Sequence, residues 1–294
     1  MSSLTLQTNL DNNALPFRVQ EYLKTHKPKL FILTPCYGSM CHVNYMCALI
    51  KTIDVFRLYN FPLHIEFCKN DSLVSRARNN LIAKAMNDPE TTHIMFIDSD
   101  ITWDPMDIFK LILSEKSLVG GIYPMKHYFW DKLVPKPGDE STPVEKMINI
   151  KNENMYLSNI ISDANMIQHN LLKYNMNYVS NTVQIHKNLL EARHIATGFM
   201  MIERSLIEKM MVEYSSTKYV DDVCFLNEEE NKYAYALFDC GIEEGHYFSE
   251  DWLFCHRWSK LGGKIYVEVS ISLVHSGMED YRGSFISSII SNIR

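Results

Sequence analysis

Short apolar runs alternate with amphipathic stretches through the first half of the chain. Leu30-Phe31-Ile32-Leu33 is an unbroken apolar run, stopped by Thr34-Pro35 and Tyr37-Gly38, and reads as a buried strand followed by a turn. Val43, Met46, Cys47, Ile50 and Ile53 recur at helical spacing and predict a helix within 41–58. Residues 63–67 repeat the strand pattern, and 72–86 predict a second helix opened by Asp71 or Ser72. A third strand, 93–97, stops at Asp98-Ser99-Asp100. Asp104-Pro105 is an N-cap followed by proline at the first helical position, and a helix follows to about residue 114. Residues 118–123 are a fourth strand. Strands alternating with helices need crossover connections. The expected fold is therefore α/β and Rossmann-like, with a mainly parallel central sheet flanked by helices.

The pattern weakens from 131 to about 190. Pro135-Lys136-Pro137-Gly138-Asp139 is a loop, and 149–181 is rich in Asn and Met with poor periodicity. Residues 131–192 read as an irregular insertion on a regular scaffold. Order resumes with the apolar segment 194–202, which contains Thr197-Gly198, and a helix near 205–212. A helix over 249–261 ends at Gly262-Gly263. Residues 264–274 then alternate as a strand that stops at His275-Ser276-Gly277. The expected organisation is a leading tail or short leading helix, 1–28, one domain, 29–283, and a C-terminal tail, 284–294.

Composition narrows the function classes. Of the 294 residues, 46% are hydrophobic and 22% charged, which excludes disorder over most of the chain. The net charge is −6 and no long Lys/Arg run occurs, so no nucleic-acid partner is expected. Seven cysteines, odd in number and without a C-x-x-C pair, fit reduced thiols in a reducing compartment. The N-terminus lacks an apolar signal core, and no window approaches the roughly 18 apolar residues of a membrane span. A cytoplasmic protein, of the producing cell or of a virus-infected host, is expected, with no signal peptide or membrane anchor. A homodimer stays open.

Asp98-Ser99-Asp100 is the first candidate for chemistry. On an extended segment, residues i and i+2 point the same way, so both carboxylates would face one spot. That spot lies past the carboxyl end of a strand, where open α/β sheets bind ligands. Two facing carboxylates repel unless a cation joins them, and such oxygen ligands suit Mg²⁺ or Mn²⁺. The plain alternative is a solvated loop in which Asp100 assists the next helix. Projection of the 72–86 helix puts Arg78 on the same face as Val74, Leu81, Ile82 and Ala85, with Arg76 on the far side. A charge on a buried face needs a partner, and Asp98 is the obvious carboxylate. A structural ion pair accounts for Arg78 equally well. In Ser249-Glu250-Asp251-Trp252, acids at a helix start gain from the dipole, and either is also placed to act as a general base. His275 is either structural or the last ligand of an oxygen-rich metal site. Cys36, Cys41 and His42 lack zinc spacing.

These segments in order resemble a known family. Thr34-Pro35, Ser75-Arg76-Ala77-Arg78-Asn79 and Phe96-Ile97-Asp98-Ser99-Asp100 come first. Gly120-Gly121-Ile122-Tyr123-Pro124-Met125-Lys126 and Thr197-Gly198-Phe199-Met200 follow, and the Ser249 and His275 segments close the set. Together they resemble GT-A-fold glycosyltransferases, which use nucleotide-diphosphate sugars, and are most similar to soluble members from bacteria, phages and large DNA viruses. Ala77-Arg78-Asn79 with the D-x-D is also similar to the Anp1-type mannosyltransferases. The resemblance covers about 29–130 and 193–283, not the insertion. It makes 29–130 the nucleotide-sugar half and 193–283 the acceptor half.

The resemblance implies a sugar transfer from a UDP- or GDP-sugar, UDP favoured, to a hydroxyl of a glycan or glycoprotein, with Mn²⁺ or Mg²⁺. It implies that Asp98 binds the donor ribose or the metal's outer shell, and that Asp100 and His275 coordinate the metal. Ser99 belongs to the same donor-binding turn. Thr34, Pro35 and Tyr37 would line the nucleobase pocket. Arg78 and Asn79 would hold the base or the first carboxylate. Gly198 and Phe199 would wall the donor sugar, and Asp251 or Glu250 would meet the acceptor hydroxyl. Inversion would need such a base, whereas the Anp1-type similarity implies retention without one. A sugar nucleotidyltransferase is the first alternative, but the loop after the first strand has one Gly and no basic residue. A non-catalytic carbohydrate-binding protein is the second, and the intact Asp98, Asp100, Asp251 and His275 argue against it. Four of the chain's excess acids, Asp98, Asp100, Glu250 and Asp251, would then surround one cation. Such a site repels itself when empty, and its grip on a diphosphate should depend on the metal.

Overall fold

The apolar runs become strands that are covered on both faces. A computed structural model describes residues 5–7 and 14–291. The first part runs β1 (Thr5–Gln7), α1 (Leu15–Thr25), β2 (Leu30–Cys36), α2 (Val43–Leu58), β3 (Leu63–Lys69), α3 (Val74–Asn87) and β4 (His93–Ile97). It continues through β5 (Ile101–Thr102), α4 (Pro105–Ile112) and β6 (Leu118–Gly120). The middle holds α5 (Pro143–Glu153), α6 (Met155–Ile160), α7 (Asp163–Leu171), β7 (Met176–Tyr178), β8 (Gln184–His186) and β9 (Leu189–Ile195). β10 (Phe199–Glu203), α8 (Arg204–Glu213), β11 (Gly241–Glu243), β12 (His246–Phe248), α9 (Glu250–Lys260) and β13 (Ile265–Glu268) follow. β14 (Ser272–Ser276), β15 (Asp280–Ser284) and α10 (Phe285–Ser291) close the described chain.

Among the described residues the large sheet has the order β1-β8-β9-β13-β6-β10-β4-β2-β3, with β7 also on β9. Traced from pair to pair, β9 and β10 run against the other strands. The fold is α/β, Rossmann-like, with a mostly parallel sheet between helices. Strand period divides the core in two. Phe31, Leu33, Ile94, Phe96, Met200 and Ile202 face α3, α8, α9 and α10. Leu30, Ile32, Met95, Ile97, Phe199 and Met201 face α2 and α4. α4 starts with a capping box between Asp104 and Asp107, with Pro105 just inside.

Several expectations need correction. Of the two readings of 1–28, the leading helix forms, as α1 with Leu15 and Val19 buried, and the free tail does not, since β1 pairs with β8. Residues 1–4 and 8–13 lie outside the described residues. The 284–294 tail is α10 as far as Ser291, with Phe285, Ile286 and Ile289 in the core. Ser287 and Ser288 are buried with them. Residues 292–294 lie outside the described residues. The insertion 131–192 contains three helices but also β7, β8 and most of β9, which belong to the large sheet. The 264–274 strand breaks into β13 and β14, and β14 joins a separate sheet, β15-β14-β5. α2 buries Tyr45, Ala48, Leu49, Thr52 and Phe56, while Val43, Met46 and Ile50 are exposed. That helix is apolar on most sides, so spacing alone does not choose its buried face.

Glu268, at the end of β13, is buried, and the Ser270 N–H donates to its Oε1 at 3.0 Å. Burial outweighs the Ser270 hydrogen bonds and pushes its pKa from 4.5 to about 7. The folded chain thus keeps a proton that the unfolded chain has released. The associated stability is present below about pH 4.5 and is lost as pH rises through 7. Glu268→Gln should therefore be more stable than the native chain at pH 8, by on the order of 3 kcal/mol, with the difference fading below pH 5. Urea unfolding across pH 4–9 checks this, and a pH-independent difference would disprove it.

Candidate active site

β4 ends at Ile97 and the chain turns at once, with the Ile101 N–H donating to the Asp98 carbonyl at 3.0 Å. The D-x-D is therefore a turn, not an extended segment, and its carboxylates go to different partners. Three backbone bonds fix this turn. Asp98 N–H donates to the Gly198 carbonyl (3.0 Å), His42 N–H to the Ser99 carbonyl (2.9 Å), and Ser276 N–H to the Asp100 carbonyl (2.8 Å). The turn is thus tied to the start of β10, the start of α2 and the end of β14.

Arg78 enters from the second turn of α3 and is buried, as its helical face requires. Its Nη2 donates to Asp98 Oδ1 at 3.0 Å and its Nε to Glu250 Oε1 at 3.4 Å. The guanidinium carbon lies 5.3 Å from the centre of the Phe96 ring. Burial opposes the charge, but Asp98 and Glu250 outweigh it and hold the pKa above its ordinary value. Glu250 and Asp251 form the first turn of α9. Asp251 is buried, and its pKa is raised by burial first and then by the adjacent Glu250 charge. The Ser249 hydroxyl does not cap the helix backbone. It donates to Asp251 Oδ1 at 2.5 Å, and Trp252 N–H donates to the same oxygen at 2.8 Å.

Asp100 takes the other side of the turn. Lys126 Nζ lies 2.5 Å from its Oδ2, and His275 Nε2 lies 3.5 Å from that same oxygen. Burial resists ionisation, but the hydrogen bonds from His275 and Lys126 bring the Asp100 pKa down to about 2. His275 Nδ1 is 2.8 Å from the Pro124 carbonyl, which only accepts, so the proton of a neutral ring sits on Nδ1. Gly198 packs between the two halves. A Cβ there would fall 2.5 Å from Tyr123 Oη and 2.7 Å from Asp98 Oδ2. The Gly198 N–H donates to that Tyr123 hydroxyl at 3.1 Å.

The structure thus brings together Arg78, Asp98, Asp100, Glu250, Asp251, Gly198 and His275. It takes others away. Thr34 is fully buried, its hydroxyl 2.6 Å from Tyr45 Oη, so it lines no base pocket. Asn79 spends both ends of its amide on the Phe238 backbone, at 2.6 and 2.9 Å, and clips that segment to α3 instead of holding a base. Phe199 is wholly buried in the core beside Trp103 and walls nothing. Pro35 lies half-buried within β2, beyond the residues that pair with β4, and Tyr37 is exposed just after it. Tyr123 and Lys126 are functional candidates without an assigned role in the sequence, although both stand in the Gly120–Lys126 motif. The expected four acids around one cation are also redistributed. Arg78 compensates Asp98 and Glu250, and Lys126 compensates Asp100. Among the described residues, no group of three or more His, Cys, Asp and Glu side chains is arranged to hold a metal.

No family model matches the chain, and no curated protein matches it. Among solved structures, one described as the crystal structure of A197 from STIV superposes with a TM-score of 0.42 at 13% identity. The alignment covers 85% of this chain and 86% of that one. Among the described residues, no helix is long and apolar enough to cross a membrane.

Removing Arg78 leaves Asp98 and Glu250 without their shared cation. Arg78→Met should cost about 3–5 kcal/mol of stability, the usual result of breaking a buried pair from one side. Urea denaturation at pH 7 measures it. A loss below about 1 kcal/mol, the value of a surface pair, would show that the cluster is solvated.

Proposed function

We propose that the chain is a GT-A-type glycosyltransferase. It would transfer a sugar from a nucleotide-diphosphate donor, a UDP- or GDP-sugar with UDP favoured, to a hydroxyl of a glycan or glycoprotein. The supporting observation is the meeting of Arg78, Asp98, Asp100, Glu250, Asp251 and His275, from separate parts of the chain, around the turn that follows β4. Ligands of open α/β sheets bind at such carboxyl ends.

Asp100 and His275 fit a divalent cation. A neutral His275 ring carries its proton on Nδ1, and its Nε2 would then join the Asp100 oxygen 3.5 Å away on a shared cation, in place of the hydrogen bond a protonated ring gives that oxygen. Two protein ligands suffice where substrate phosphates and water complete the shell, as is usual for Mg²⁺. When bound, Mn²⁺ or Mg²⁺ would offset the charge that builds on the departing diphosphate. Arg78 holds Asp98 through Oδ1, which leaves Oδ2 for a donor ribose hydroxyl.

Asp251 is the base in this reading. Both hydrogen bonds that orient it fall on Oδ1, so Oδ2 is left for the acceptor hydroxyl. Its raised pKa makes it a better proton acceptor than an exposed aspartate. That is the requirement of an inverting transfer, in which the acceptor loses its proton as the anomeric bond breaks.

Released nucleotide from a panel of UDP- and GDP-sugars with Mn²⁺ tests the reading. Asp251→Asn should lower turnover by roughly 10²–10⁴-fold, the span of general-base catalysis, while UDP binding stays intact. Unchanged turnover in that variant removes Asp251 from the role. No release from any donor, together with no thermal shift on adding UDP or GDP with Mn²⁺, defeats the transferase reading.

A further inference from the structure

Resting on the transferase reading, we infer that Lys126 is an exchangeable counter-ion. It holds Asp100 until a nucleotide diphosphate draws its ammonium away, so that cation and diphosphate bind together. Lys126 Nζ sits 2.5 Å from Asp100 Oδ2, the oxygen that His275 Nε2 faces at 3.5 Å. An ammonium and a divalent cation cannot share that oxygen without strong repulsion. Whatever cation enters must first displace Lys126.

The local structure suits a charge that swings on a fixed base. The backbone around Lys126 is pinned on both sides. Met125 N–H donates to the Lys173 carbonyl at 2.8 Å, His127 N–H donates to the Met125 carbonyl at 2.8 Å, and Pro124 bridges to Tyr174. Its side chain is 35% exposed, against 5% for Arg78, so only the lysine is free to move. The stem crosses Gly277, where a Cβ would come within 3.1 Å of Lys126 Cδ, so the glycine leaves room for that path.

Charge supplies the direction. Arg78 is committed to two carboxylates, and Asp251 adds a third acid nearby. An incoming diphosphate meets net negative charge unless a cation follows it. Lys126 is placed to do so, trading one carboxylate oxygen for phosphate oxygens, which accept strong charge-assisted hydrogen bonds. Asp100 and His275 are then freed for the metal. The coupling is reciprocal, since the metal must also tighten the diphosphate.

Calorimetric Mn²⁺ titrations of the full chain, with and without UDP, test this. For Lys126→Met, nucleotide-free Mn²⁺ affinity should rise about tenfold, because the competing ion pair is gone. The further gain that UDP gives should shrink in that variant, and UDP itself should bind more weakly. Lys126→Arg, which keeps the charge, should retain native coupling. Uridine, lacking phosphate, should leave native Mn²⁺ affinity unchanged. Native UDP binding with an unaltered or weaker Mn²⁺ affinity in Lys126→Met overturns the inference and leaves the transferase reading standing. Failure of the native chain to bind either Mn²⁺ or UDP overturns both.

Discussion

A buried guanidinium holds the site together. Arg78 reaches Asp98 on one side and Glu250 on the other, with its planar face against Phe96. These groups come from α3, the turn after β4 and the first turn of α9. A lysine in this place would offer one point charge, whereas the guanidinium fork serves two carboxylates in fixed directions. The buried cation needs both partly exposed acids to outweigh its own desolvation, and it holds the two acids together. The position of α9, and with it Asp251, follows from this mutual requirement.

The layer architecture was legible because β2, β4 and β10 are short, apolar and buried on both faces, so their runs stand out against amphipathic helices. Arg78 was legible for the opposite reason: one charge on an otherwise apolar helical face. The D-x-D was found by position but its shape was misjudged, because a turn closed by Ile101 N–H to the Asp98 carbonyl leaves no trace in residue spacing. Thr34 and Asn79 show the limit of polar residue types as signals. Each is buried and satisfied by a partner far along the chain, Tyr45 or the Phe238 backbone, and no local pattern names that partner. Lys126 escaped assignment because its importance is relational. It becomes conspicuous only when Asp100 and His275 are seen on the same oxygen.

Electrostatically, the site is neither an open acidic bowl nor a closed core. On the Asp98 side the cation, Arg78, is buried and shared between two partly exposed acids. On the Asp100 side the cation itself, Lys126, is partly exposed. Such a division leaves one cation fixed inside the fold and the other able to move.

β10 has a consequence for how the chain acquires this structure. β4 and β6 are close in sequence, yet β10, which follows some eighty residues after β6, lies between them and pairs with both. During synthesis the two earlier strands cannot zip together, and each presents an unpaired, apolar edge until residue 203 has left the ribosome. Closure of the sheet's centre is thus a late, long-range event, expected to be slow and exposed to aggregation. The same event delivers Gly198 to Asp98 and Tyr123, while β13, α9 and His275, later in the chain, complete the sheet and the site afterwards.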